Sequence, residues 1–188
     1  MQEAITNLDF IILNWIQTNL HSSFADWFFP WFTALANGGF IWLLVTGVLL
    51  CRPKKRRQGF LLLCGLVLGF LIVNVILKPM VARPRPCWLV NFPLLIPNPI
   101  DYSFPSGHTA ASFISAFILM AKWKKAGAWA LVGASLIAFS RLYLYVHYPS
   151  DVLASIFLAA LISGGVLWGK AQMRKKQDKI WPAERNRK

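Results

Sequence analysis

Apolar residues run along this chain in blocks, parted by short breaks of Pro, Gly or charged residues. The longest block, FLLLCGLVLGFLIVNVIL from Phe60 to Leu77, carries no charge. As a helix it is roughly 27 Å long, about the thickness of one bilayer core. Similar blocks predict hydrophobic helices near residues 24–36, 39–51, 59–78, 106–121, 126–145 and 150–169, six in all. Asn-Gly-Gly at 37–39 marks a turn between the first two. Ahead of them, TNLDFIILNWIQTN sets Asn7, Asn14 and Thr18 opposite Leu8, Ile12 and Trp15 or Ile16 at helical spacing. That pattern suits a helix lying in the membrane interface, and it suits a buried connecting helix equally.

Composition agrees with the pattern: 56% of the 188 residues are hydrophobic, with nine Trp and fourteen Phe. The expected fold class is all-α: a polytopic membrane helical bundle of six transmembrane helices with an N-terminal interfacial helix. One domain is expected over residues 1–170, followed by a basic tail at 171–188. The opening MQEAITN has no basic stretch and no small-residue cleavage site soon after it, so a cleaved signal peptide is not expected. Cys51, Cys64 and Cys87 fall on separate segments without CxxC spacing, which indicates packing residues and neither zinc nor a disulfide framework.

A net charge of +13 raises nucleic acid as a partner, but the cations flank apolar spans and form no soluble basic face. They follow the positive-inside rule instead. RPKKRR at 52–57 holds five Lys or Arg, KWKK at 122–125 three, and the tail from Lys170 eight, together sixteen of twenty. These segments and both termini are expected on the cytoplasmic side of a plasma or inner membrane. The remaining Lys78, Arg83, Arg85 and Arg141 then lie at the outward ends of the third and fifth helices, with His108 and His147. Cations in a membrane need a watery site or an anion. The acids in view there, chiefly Asp101 and Asp151 with Asp26 as a further candidate, are too few for a cluster of four, so the missing negative charge is assigned to a ligand.

Three segments carry candidate chemistry. In FPSGHTAASF at 104–113, Ser106 and Gly107 open the fourth helix, where free N–H groups attract a phosphate and His108 stands ready to protonate a leaving oxygen. Ser106 serves equally as a plain helix cap. In SRLYLYVHYPSD at 140–151, His147 and Asp151 are four apart, one face of a helix opened by Pro149. The carboxylate can then hold one imidazole nitrogen while the other attacks. In KPMVARPRP at 78–86, prolines end the third helix, and Lys78 and Arg85, with Arg141, offer donors for phosphate oxygens.

Taken together these residues carry a resemblance. Lys78, six residues, Arg85-Pro86; Pro105-Ser106-Gly107-His108; and Ser140-Arg141, five residues, His147, three residues, Asp151 resemble the three-part signature of the type 2 phosphatidic acid phosphatase family. The resemblance implies a metal-independent membrane phosphatase, without cofactor, working through a phosphohistidine. It implies His147 as nucleophile, Asp151 as its orienting partner, and His108 as the acid that then activates water. Lys78, Arg85, Arg141, Ser106 and Gly107 would hold the phosphate, with Arg83 carried over only as an extra contact. Membrane embedding implies a lipid substrate, undecaprenyl pyrophosphate ahead of phosphatidylglycerol phosphate or phosphatidic acid. A lipid phosphotransferase and a non-catalytic lipid-phosphate binder or transporter are the alternatives. The apolar loop CWLVNFPLLIPNPIDYSF either covers the acyl or isoprenoid chain or plugs the interface.

Overall fold

The computed structural model describes residues 2–90 and 92–180 of the chain. Among them the order is α1 (Gln2–Asn19), α2 (Ser23–Ala34), α3 (Phe40–Leu50), α4 (Arg56–Gly69), a π-helical continuation (Phe70–Leu77), α5 (Lys78–Val81), α6 (Pro86–Leu89), α7 (Gly107–Met120), α8 (Lys124–Tyr143) and α9 (Pro149–Ile180). No strand occurs among the described residues.

Local chemistry sets the boundaries. Ser22 caps α2 and Ser106 caps α7, each side chain accepting from the N–H three residues on. Pro149 opens α9 with Asp151 in its first turn. The Asn37–Gly39 turn is present: Gly38 and Gly39 sit at φ 58° and 75°, a conformation glycine adopts without steric cost.

That turn changes the span count. With 12 and 11 residues, α2 and α3 are each too short to cross a bilayer, and together they form a pair bent by 45°. Three stretches are long and apolar enough alone, Pro53–Leu89, Lys124–Tyr143 and Pro149–Gln177, and the bent pair makes a fourth. The expected six is not reached by this measure, because each half of the broken span was counted and the 14-residue α7 falls short of full length.

Though short, α7 is central, packed against α4, α8 and α9. Its Ile114, Ala116 and Ile118 are wholly buried with Leu62 and Ala134. The α7–α8 hairpin closes tightly: a Cβ on Gly127 would lie 2.2 Å from the Met120 Cα, so only glycine fits. Outward, Phe60, Phe70, Trp129, Phe157 and Trp168 are exposed, as expected of a lipid-facing surface. The packing reading of the cysteines holds for buried Cys87 and fails for exposed Cys51; all three are free thiols.

The ends of the bundle differ in charge. Lys55 lies over the Trp123 ring, and Gln58 donates to the Ile118 carbonyl, so both basic loops gather at one end. The far end, about 30 Å along the 20-residue α8, holds the α8–α9 junction. Here α1 departs from expectation. Asp9 bonds Ser150, Asn14 accepts from the Tyr145 hydroxyl, and Gln17 donates to the Tyr143 carbonyl, so α1 crosses the end opposite the basic loops. Leu13 and Ile16 pack beneath it while Leu8, Ile11 and Trp15 stay exposed, the arrangement of an interfacial helix. The expected tail from residue 171 begins inside α9, which continues to Ile180; residues 181–188 lie outside the described residues.

Candidate active site

The helix ends at the α8–α9 junction converge on a cavity of about 940 Å³. Lys78, Arg85, His108, Arg141 and His147 all line it, together with Gly107. Most of the remaining wall is apolar, including Trp31, Leu43, Val67, Phe70 and Leu71, and Leu95, Ile96 and Ile100 of the proline-rich loop also face it. The loop therefore forms part of the cavity wall.

His147 sits in the junction between α8 and α9 and is nearly fully buried. Its Nδ1 is 3.6 Å from Asp151 Oδ2 and has no hydrogen-bond partner. Arg85 Nη1 stands 3.1 Å from Nε2. Burial first, and then the charges of Arg85, Arg141 and Lys78, hold the His147 imidazole well below its ordinary pKa, so it is neutral at pH 7. Asp151 is fully enclosed: Oδ2 accepts from the Ser103 hydroxyl and from the Tyr148 N–H at 3.0 Å, and Oδ1 from Arg83 at 2.6 Å.

His108, on the first turn of α7, has Nε2 2.9 Å from Asn37 Oδ1. A carbonyl oxygen only accepts, so Nε2 carries the hydrogen and Nδ1 is the free base. Gly107 stands close to a neighbour: a Cβ there would lie 2.8 Å from Asn74 Oδ1, so the Asn74 amide would have to shift. Asn74 belongs to the π-helical segment, a winding frequent at functional sites, and it lines the same cavity.

The cations are better balanced than expected. Lys78 and Arg85 both pair with Asp101, and Arg83 bridges Asp9 and Asp151. Three carboxylates thus serve three of the four cations, and one of them, Asp9, is not among the acids the sequence brings into view. Only Arg141 has no ion pair among the described residues; its Nη1 donates to Thr33 Oγ1 at 2.8 Å and its Nε is unpartnered. Burial alone would raise the Asp101 carboxyl, but the hydrogen bond from Lys78 and the charges of Arg85 and Lys78 outweigh it and hold the pKa down to about 2.

Two expected phosphate contacts are not brought to the cavity. Ser106 is fully buried, its hydroxyl accepting from Thr109 and its N–H donating to Ser155 Oγ at 2.7 Å, so it is a helix cap. Arg83 turns away, its guanidinium 3.8 Å over the Tyr148 ring and both ends committed to carboxylates. Among the described residues no three His, Cys, Asp or Glu side chains converge into a metal-binding group. The motifs did not reveal Thr33, Asn37, Asn74 or Asp9. Asn74 alone had a signal, as the single polar residue in the longest apolar block.

Comparison with known proteins agrees with this architecture. Undecaprenyl-diphosphatase of Sulfolobus acidocaldarius is 33% identical over 130 residues, 66% of this chain and 61% of that protein. The chain therefore spans less than two thirds of that relative's length. Undecaprenyl-diphosphatase BcrC of Bacillus subtilis is 32% identical over 147 residues, covering 76% of this chain and 73% of the relative. Among solved structures, LpxE of Aquifex aeolicus superposes with a TM-score of 0.75 at 27% identity, over 85% of this chain and 94% of that one. A transmembrane PAP2-type phosphatidylglycerolphosphate phosphatase of Bacillus subtilis gives 0.75 over 90% and 87%, at 24% identity, a likeness in fold alone. The PAP2 superfamily profile matches residues 58–175, the stretch that carries all three motif segments, and the chain belongs to that superfamily.

Proposed function

We propose that this protein is a membrane phosphatase that removes the terminal phosphate of a lipid pyrophosphate or lipid phosphate, with undecaprenyl pyrophosphate as the preferred substrate. The observation that carries the reading is the meeting of three cations and two imidazoles in one largely apolar cavity. A phosphate headgroup fits its charged end and an isoprenoid or acyl chain its apolar end. The names of the Sulfolobus and Bacillus relatives support the choice of substrate.

In the first step His108, which takes up a proton at Nδ1 as the anionic headgroup binds, is the acid: His147 Nε2 attacks phosphorus, the bond from phosphorus to the leaving oxygen breaks, and His108 gives that oxygen its Nδ1 proton and returns to the neutral imidazole. Asp151 stabilises the imidazolium that forms. Lys78, Arg85, Arg141 and the Gly107 N–H hold the three phosphate oxygens as charge spreads over them. In the second step His108 takes a proton from water, whose oxygen attacks phosphorus and releases phosphate and neutral His147. The 3.6 Å gap between His147 and Asp151 exceeds the reach of a hydrogen bond, about 3.2 Å, and closes when substrate draws the imidazole forward. The basic loops at the opposite end support an outward-facing site on the extracytoplasmic side of the membrane.

The test is phosphate release by the purified protein in detergent, with chelator present, from undecaprenyl pyrophosphate, phosphatidylglycerol phosphate and phosphatidic acid, beside His147→Ala. Release that is lost in the variant and greatest with the polyprenyl substrate is the expected result. Release that survives His147→Ala overturns the mechanism, and a preference for either glycerolipid overturns the substrate.

A further inference from the structure

Asp9 is a buried carboxylate on α1, outside the matched region of the family, and the steps above do not use it. It is 3% exposed and fully engaged. Oδ1 accepts from the Ser150 N–H at 2.9 Å, and Oδ2 accepts from the Ser150 hydroxyl at 2.5 Å and from Arg83 Nη2 at 2.8 Å. The other arm of the same guanidinium, Nη1, reaches Asp151 Oδ1 at 2.6 Å. Asp151 in turn faces His147.

We infer that Asp9 is a positioning residue for the reaction, acting through Arg83 on Asp151 and so on His147. This rests on the reading of His147 as nucleophile. Two physical effects give Asp9 that role. First, a planar fork held at both ends can deliver only one geometry to Asp151. Second, Arg83 shares its charge between two carboxylates. Without Asp9 the whole charge bears on Asp151, which then stabilises the developing His147 imidazolium less. The face of Tyr148 against the guanidinium and the Ser150 contacts fix the linkage from the sides. A purely structural Asp9, fastening α1 to the start of α9, would make the same contacts, so the test must separate the two.

Asp9→Asn keeps the size and removes the charge. In detergent, on whichever lipid phosphate the wild type hydrolyses, it is expected to lower kcat about tenfold while KM stays within about twofold, since neither effect reaches the phosphate cradle. Arg83→Lys keeps the charge and loses the fork, and is expected to lower kcat similarly. The double variant should fall no further than the lower single one, as for residues acting in one line. Full additivity, or an Asp9→Asn kcat near wild type beside a lowered melting temperature, overturns the proposal. Should Asp9→Asn not survive extraction, Arg83→Lys decides alone: a near-wild-type kcat overturns it. Wild type and His147→Ala run alongside, so that failure of the nucleophile assignment is seen separately from failure of this linkage.

Discussion

Arg85 Nη1 lies 3.1 Å from His147 Nε2, and since a guanidinium has no acceptor, Nε2 must present its lone pair to it. The ring hydrogen is therefore on Nδ1, facing Asp151. One contact thus fixes the tautomer that the proposed nucleophile at Nε2 requires.

Nitrogen NMR of histidine-labelled protein reports this directly. In the unliganded enzyme His147 is expected to stay neutral, with hydrogen on Nδ1, from pH 7 down to pH 5.5, because burial and three nearby cations disfavour its charged form. Titration near the ordinary histidine value of about 6.5, or hydrogen on Nε2, would falsify the arrangement.

His147→Ala should lower turnover by on the order of 10³ or more, the scale on which members of a cooperating triad act. Asp151→Asn should lower it too and also weaken the fold, since Arg83, Ser103 and Tyr148 all converge on that buried carboxylate. Single-turnover rates and melting curves measured together test both halves.

Asp101 gives a prediction in pH. A carboxyl whose pKa falls on folding contributes its stability fully above the unfolded value and loses it as pH drops through the folded one. With the folded value at about 2, against 3.8 ordinarily, the contribution is present above about pH 4 and fades toward pH 2. Asp101→Asn should therefore flatten the fall in melting temperature between pH 5 and pH 2. The variant should also bind inorganic phosphate several-fold more tightly at pH 7, because Lys78 and Arg85 lose their internal counter-ion. An unchanged inhibition constant would show that Asp101 does not compete with phosphate.

Gly127→Ala forces a methyl group onto the Met120 backbone and should cost on the order of 1–3 kcal/mol. Gly133, on the same helix with nothing within 4 Å of a Cβ, is the control, and Gly133→Ala should melt no lower than wild type. Equal melting temperatures for the two variants would refute the close α7–α8 approach.

Much of this site was legible in the sequence because its chemistry sits in short segments. Lys78, Arg85, Gly107, His108, Arg141 and His147 occur in three runs, and all six line the cavity. Ser106 and Arg83 read as ligands because motif position does not say which way a side chain turns; a cap bond and a pair of carboxylates turn them elsewhere. Asn37, Thr33 and Asp9 were hidden because each meets its partner from far along the chain, with His108 71 residues, Arg141 108 and Ser150 141 residues away. The count of six spans is not confirmed: at Asn37–Gly39 the same glycines that signal a turn join two half-length helices into one bent pair.

The placement of α1 has a consequence for the order of assembly. Asp9 is made before both of these partners: Arg83 follows 74 residues later and Ser150 141 later. Long-range closures of this kind come late, since the loop entropy must be met before the contact rewards it. By this reasoning α1 docks late, and onto Ser150 only after the junction bearing His147 and Asp151 has emerged. Until then its carboxylate has Arg83 at most and lacks Ser150, so α1 docks onto a junction that is already in place.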